Sequence, residues 1–138
     1  MRLEKVVSER DRLLMLIGIN ILHDVFGESP TTELPADWEH YVVYHYHYAR
    51  GTVSLYQLED KVIVNNLCIF ANSRRKGYGT RLLKEVLAMA GDRKVALSVL
   101  ETNAAARALY TKMGFVEIDR GECYGKVFLR MEHPGKKK

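Results

Sequence analysis

Hydrophobic and polar residues along the chain follow two rhythms, a helical one and an alternating one. Between Ser8 and Gly27 the apolar residues Leu13, Leu14, Ile17, Ile21 and Leu22 recur every three or four positions, and Ser8 with Asp11 has capping-box spacing. This predicts a helix ending near Gly27, with a short strand over residues 3–7 before it. Residues 28–37 hold two prolines and read as loop. From Tyr41 the residues suit a pleated sheet: YVVYHYHY, TVSLYQL and VIVNNLCIF, broken at Arg50-Gly51 and at Glu59-Asp60-Lys61, predict an antiparallel meander of three strands. Alternation within YHYHY would send Tyr44, Tyr46 and Tyr48 to one face of its strand and His45 and His47 to the other. Those residues could line a substrate pocket, or simply pack with their hydroxyls at an edge. A basic loop follows, then a helix over about 78–89, the strand KVALSV, a helix over 103–113 closed by Gly114, and the strands FVEID and KVFLRME. Strands and helices in this order predict an α+β (mixed α/β) domain, with a central sheet flanked by helices.

Composition narrows the class further. With 138 residues, 47% hydrophobic and 28% charged, the chain suits one globular domain over residues 1–133, followed by a basic tail, Pro134-Gly135-Lys136-Lys137-Lys138. Three charges of the formal +4 sit in that tail, leaving +1 for the rest, which argues against a nucleic-acid surface. Cys68 and Cys123 lie far apart, with no CxxC and no histidine pair at zinc spacing, so neither a disulfide scaffold nor a metal site is expected. The apolar run over 13–22 is about half of what a bilayer span needs. It follows the mixed charges Glu9, Arg10, Asp11 and Arg12, and no cleavage site comes after it, so a soluble cytoplasmic protein is expected.

The stretch SRRKGYGTRLL, residues 73–83, stands between an apolar strand and an amphipathic helix. A helix start offers amides without intrahelical partners and the positive end of a dipole, and glycines at 77 and 79 allow a phosphate to approach the backbone. Spacing excludes a P-loop, and Leu82 stands where a dinucleotide fingerprint wants Gly or Ala. Alone, the loop reads equally as an anion site or a turn. Some 25 residues on comes ETNAAARALYTKMGFVE, in which Asn103 alone would read as a helix cap and Tyr110 as a core aromatic.

Arg74-x-x-Gly77-x-Gly79 after a strand, followed by N-x-x-A-x-x-L-Y-x-x-x-G-F, resembles the GCN5-related N-acetyltransferase (GNAT) family, most strongly over residues 62–116. The resemblance implies a GNAT-type acyl-CoA N-acyltransferase fold, with a mixed sheet splayed between its fourth and fifth strands and acetyl-CoA in the gap. It makes Leu67, Cys68 and Ile69 the strand that pairs with the pantetheine arm. It makes Arg74, Arg75, Lys76, Gly77, Tyr78, Gly79 and Thr80 the pyrophosphate loop, Asn103 a side chain holding the arm, and Tyr110 the catalytic acid near the sulfur. The implied reaction is direct transfer of an acetyl group to a primary amine of a protein, peptide or small molecule, and exposed strands after Val116 could pair two copies as relatives do.

Departures from the family pattern leave the general base open. The strand over 62–69 carries Asn65 and Asn66 but no glutamate, and Ser98 stands where ribosomal-protein N-terminal acetyltransferases put theirs. Glu101, His45, His47 and a water chain are the candidates. The missing glutamate also motivates the alternative of an acyl-CoA-binding sensor or interaction module without transfer. Where the family places a second helix, residues 28–40 are short and contain proline, so an open acceptor groove lined by Trp38 and nearby tyrosines is expected.

Overall fold

The computed structural model describes residues 1–135, so Lys136, Lys137 and Lys138 of the expected tail lie outside the described residues. Among these residues the elements run β1 (Arg2–Lys5), α1 (Glu9–Phe26), β2 (Glu39–His45), β3 (Tyr48–Gln57), β4 (Lys61–Ile69), α2 (Tyr78–Ala90), β5 (Lys94–Leu100), α3 (Ala104–Lys112), β6 (Val116–Cys123) and β7 (Lys126–His133), with a 3-10 turn at Ala71–Ser73. The strands make one mixed sheet in the order β1-β2-β3-β4-β5-β7-β6. Only β4 and β5 run parallel; every other neighbour pair is antiparallel. The expected mixed sheet flanked by helices and the GNAT-type fold are therefore present.

The main buried cluster joins Val43, Val53, Leu55, Val62 and Val64 of the sheet to Leu82, Leu83 and Val86 of α2, and continues through Val95, Phe115, Leu129 and Met131. Helix α1 packs on β2, β3 and β4. Its start is capped as expected, the Asp11 amide donating to Ser8 Oγ at 3.1 Å, and it ends at Gly27 in the left-handed region, φ 78°. Its buried face differs from the expected one. Met15, Leu16 and Ile19 are buried, with Gly18 so close to the Thr52 side chain that a Cβ there would collide, whereas Leu13 and Ile17 are each 51% exposed. The run over 13–22 is apolar nearly all round, so periodicity left the phase undecided, and contact with Thr52 sets it at Gly18.

YVVYHYHY is not one strand. β2 stops at His45, Tyr46 and His47 make a two-residue turn, and β3 starts at Tyr48 directly opposite His45. The turn has Tyr46 at φ 57°, a region where glycine or asparagine usually advertises the hairpin. Arg50-Gly51 consequently lies inside β3 rather than at a turn. Gly51 is needed there because a Cβ would meet the Cys68 carbonyl of β4. β6 runs further than FVEID, from Val116 to Cys123, as an exposed edge strand, while Phe115 drops out of it into the core at 1% exposure.

Candidate active site

β4 and β5 pair only through Lys61 with Lys94, Val62 with Val95 and Ile63 with Ala96. Beyond those residues the strands part, opening a cleft of about 1130 Å³ between them. A bulge in β4 contributes to the parting: between the pairs Thr52 with Cys68 and Ser54 with Asn65, β4 has two residues, Asn66 and Leu67, where β3 has only Val53. An extra residue bends the strand and strengthens its twist. Asn66 takes the left-handed conformation, φ 53°, with its amide donating to Asn65 Oδ1 at 2.9 Å.

At the far end of β4 the chain turns through the 3-10 segment into α2. Arg75 and Gly77 both have positive φ, 62° and 81°, whereas Gly79 does not. At Gly79 glycine also serves packing: a Cβ there would lie 3.2 Å from Leu109 Cδ2, so its absence lets α2 and α3 approach. Arg74 is held by its Nε donating to the Ile69 carbonyl at 3.0 Å, and Arg50 Nη1 donates to Ser73 Oγ at 3.2 Å. The amides of Tyr78, Gly79 and Thr80 begin α2 and have no intrahelical acceptor.

Asn103 is the N-cap of α3, its Oδ1 accepting from the Ala106 amide at 3.2 Å, and it also lines the cleft. Seven residues on, Tyr110 lines the same cleft, 7% exposed, with its ring 5.8 Å from that of Phe115. Burial pushes the Tyr110 phenol up to about 12, so it keeps its proton at neutral pH. Burial also raises the Cys68 thiol, with Arg74 pulling the other way. Cys68 is thereby kept a thiol, a poor nucleophile.

The cleft thus gathers Leu67, Cys68, Ile69, Arg74, Arg75, Gly77, Tyr78, Gly79, Thr80, Asn103 and Tyr110, and of the residues expected to hold the cofactor or donate the proton only Lys76 is not part of its lining. His45 and His47 lie away from it at the β2–β3 turn. There His45 sits 5.5 Å from the Tyr78 ring and accepts from Arg81 Nη1 at 3.4 Å. Partial desolvation, and then the charges of the Met1 amine, Arg81 and Arg50, lower its pKa. Ser98 does line the cleft, while the Glu101 carboxylate is tied to Arg120 Nη1 at 2.6 Å.

The opposite wall was not foreseen. It comes from the end of α1, with Ile21, Leu22, Val25, Phe26 and Glu28, and from the β6–β7 hairpin, with Asp119, Arg120, Cys123, Phe128 and Arg130. The rings of Phe26 and Phe128 meet edge to face at 5.3 Å, and Lys126 Nζ donates to the Val25 carbonyl at 3.2 Å, so helix end and hairpin are clasped together. A cation at the last carbonyls of a helix also complements its dipole. Two carboxylates of this wall are engaged, Asp119 with Arg130 Nε at 2.9 Å and Glu28 with His23 Nε2 at 3.4 Å. The short 28–38 segment tucks Trp38 against Tyr56, ring centroids 5.3 Å apart, and neither residue lines the cleft. Among the described residues no group of three or more His, Cys, Asp or Glu could hold a metal, and no helix is long and apolar enough to cross a membrane.

A family model described as an acetyltransferase (GNAT) domain matches residues 36–117. No curated protein matches the sequence. Among solved structures, an N-acetyltransferase from Staphylococcus aureus Mu50 superimposes with a TM-score of 0.80 at 16% identity, covering 96% of this chain and 100% of that one. The ribosomal-protein-S18-alanine N-acetyltransferase from Escherichia coli gives 0.76 at 18% identity over 99% and 95%. A GNAT family acetyltransferase from Elizabethkingia anophelis with acetyl-CoA bound gives 0.69 at 17% over 96% and 97%. At such identities these three speak to the shared fold.

Proposed function

The chain belongs to the GNAT acetyltransferase family, and on that premise we propose that it transfers an acetyl group from acetyl-CoA to a primary amine by direct attack in a ternary complex. The observation that carries the reading is the cleft itself, where an unpaired strand edge, a helix start, Asn103 and Tyr110 share one cavity. These features fit the cofactor. The free edge of β4 can pair with the amide-bearing pantetheine arm as an added strand, and the first amides of α2 suit a diphosphate. Leu67, Cys68, Ile69 and Asn103 would hold the arm. The backbone of Arg75, Lys76, Gly77, Gly79 and Thr80 would hold the pyrophosphate, with Arg74 and Tyr78 beside it. Acetyl-CoA bound there supplies an activated thioester acyl group.

The protein's share of the work is alignment, polarisation and proton transfer. Holding two substrates in reacting geometry replaces a bimolecular encounter, and effective molarities for such alignment reach about 10⁵ M or more. A β4 amide near Ile69 polarises the acyl oxygen, and Tyr110 Oη, kept protonated by burial, donates to the departing sulfur. Loss of the amine proton is assigned to water at the open end of the cleft, because Glu101 is tied to Arg120 and both histidines stand elsewhere. The acceptor, whether a protein or peptide amine or a small molecule, meets the wall made by α1 and the β6–β7 hairpin. A cytoplasmic setting and pairing of two copies through β6, where Val116 is 60% exposed, belong to the same proposal.

Thiol release from acetyl-CoA, measured against a panel of peptides and small amines with wild type and Gly79→Glu, tests the reading. Amine-dependent release by wild type that disappears in Gly79→Glu is expected. Acetyl-CoA binding without release across the whole panel would favour the binding-module alternative, and absence of binding would remove both.

A further inference from the structure

A row of buried polar side chains crosses the sheet beneath α1 and ends at the β4 bulge. His40 of β2 pairs with Ser54 of β3, and Ser54 pairs with Asn65 of β4. His40 Nδ1 lies 2.8 Å from Ser54 Oγ, Asn66 Nδ2 lies 3.0 Å from the same oxygen, and His40 Nε2 lies 2.9 Å from the Pro35 carbonyl. Elementary donor rules orient the row. A carbonyl only accepts, so Nε2 carries the ring proton, and Nδ1 of the neutral ring is then an acceptor. The Asn66 amide nitrogen only donates. Ser54 therefore accepts from Asn66 and donates to His40, and each group in the chain has one consistent role. Thr52 Oγ1 adds a donor to the Asn66 carbonyl at 3.0 Å, so the left-handed Asn66 is held by side chain, carbonyl and amide together.

Ser54 and Thr52 are fully buried and His40 is 7% exposed. A buried polar network is favourable only when every member is satisfied, and then it specifies one geometry. The geometry specified here is that of the bulge, immediately before Leu67, Cys68 and Ile69 on the cleft wall. We propose that His40 is a positioning residue for acyl transfer, acting through Ser54 and Asn66 to fix the β4 edge and, through Pro35, tying that edge to the segment that leaves the cleft wall at Glu28. The inference rests on the acyl-transfer reading for its kinetic consequence and on the hydrogen-bond row alone for its structural one.

Substitutions separate the two ends of the row. Asparagine at 40 can place an acceptor near the Nδ1 position without reaching Pro35, and leucine can do neither. Ser54→Ala breaks the middle and, as the mildest change, serves if His40→Leu does not fold. In thiol-release assays Ser54→Ala and His40→Leu are expected to lower kcat about tenfold or more, as small misplacements of reacting groups do, with a smaller loss of acetyl-CoA affinity by calorimetry, since the same β4 edge is assigned to the pantetheine arm. His40→Asn is expected to recover most of that loss. An unchanged kcat in Ser54→Ala, or no better rate in His40→Asn than in a folded His40→Leu, would overturn the proposal. Nitrogen-15 NMR supplies a readout independent of turnover. The Asn66 side-chain amide and the Leu67 and Ile69 backbone amides should shift in Ser54→Ala and return toward wild type in His40→Asn. Absence of turnover in wild type with these shifts intact would sink the function and leave the row, whereas unmoved resonances would sink the row itself.

Discussion

The half of the cleft made by the end of β4, the 74–80 loop and the start of α3 offers an unpaired strand edge and free helix-start amides, whereas the half made by α1 and the β6–β7 hairpin offers side chains such as Phe26 and Phe128. Local backbone geometry imposes residue types at fixed spacing there: Gly77 for its φ of 81°, Gly79 for the approach to Leu109, and Asn103 to cap α3. A wall of side chains imposes no such spacing. Phe26 and Phe128 stand 102 positions apart in sequence and meet only because α1 and β7 border the same opening. If, as proposed, one half serves the cofactor and the other the acceptor, the two should fail separately when altered.

The largest expected effect lies on the backbone half. Gly79→Glu puts a carboxylate among the amides assigned to the pyrophosphate and crowds Leu109, and acetyl-CoA affinity measured by calorimetry should fall by roughly two orders of magnitude, the scale of one or two lost charge-assisted hydrogen bonds at about 1.5–3 kcal/mol each. Tyr110→Phe comes next. As proton donor it should cost about 10²-fold or more in kcat, with acetyl-CoA binding unchanged; a fall in binding instead would make Tyr110 a packing residue. Its pH behaviour has a definite sign. As the proposed proton donor the phenol would be active when protonated, and with its pKa raised to about 12 kcat should show no alkaline decline due to Tyr110 below about pH 10. The associated stabilisation is likewise complete below the ordinary tyrosine pKa of about 10 and is lost as pH rises through about 12. A decline near pH 8.5 in wild type that vanishes in Tyr110→Phe would contradict the assignment.

A smaller effect is expected on the side-chain half. Phe128→Ala removes the edge-to-face pair with Phe26, worth about 1 kcal/mol beyond burial, and should raise the KM for the amine several-fold while leaving the acetyl-CoA KM unmoved. Equal changes in both would mean that the two walls are not independent. Smallest is Asn103→Ala, whose lost cap costs about 1 kcal/mol of stability, read as a drop of a few degrees in Tm. Any weakening of acetyl-CoA binding beyond that drop would separate its ligand contact from its cap.

The same contrast explains what the sequence disclosed. The element order and the helix starts at Ser8 and Asn103 were legible because local rules of capping and strand alternation wrote them, whereas the grouping of Leu67, Cys68 and Ile69 with the 74–80 loop and Tyr110 followed only from the family resemblance, Tyr110 alone reading as a core aromatic. The Tyr46-His47 turn was not, since a tyrosine occupies the positive-φ position that glycine or asparagine would have marked. Arg50-Gly51 looked like a turn, but its glycine answers to a carbonyl on the next strand. At the bulge Asn66 does stand at positive φ, but an asparagine within a strand pattern does not by itself say bulge, and the serine and histidine that hold it lie 12 and 26 positions upstream. Long-range contacts decided each of these.

Acetyl-CoA carrying an isotopically labelled acetyl group, incubated with wild-type protein and the best acceptor of the panel, gives the most direct test of the central claim. Mass spectrometry should find the label on the acceptor's amine nitrogen in amounts equal to the free thiol released. Thiol release with the label found only as acetate, or on Cys68 of the protein, would contradict direct transfer between two substrates aligned in the cleft.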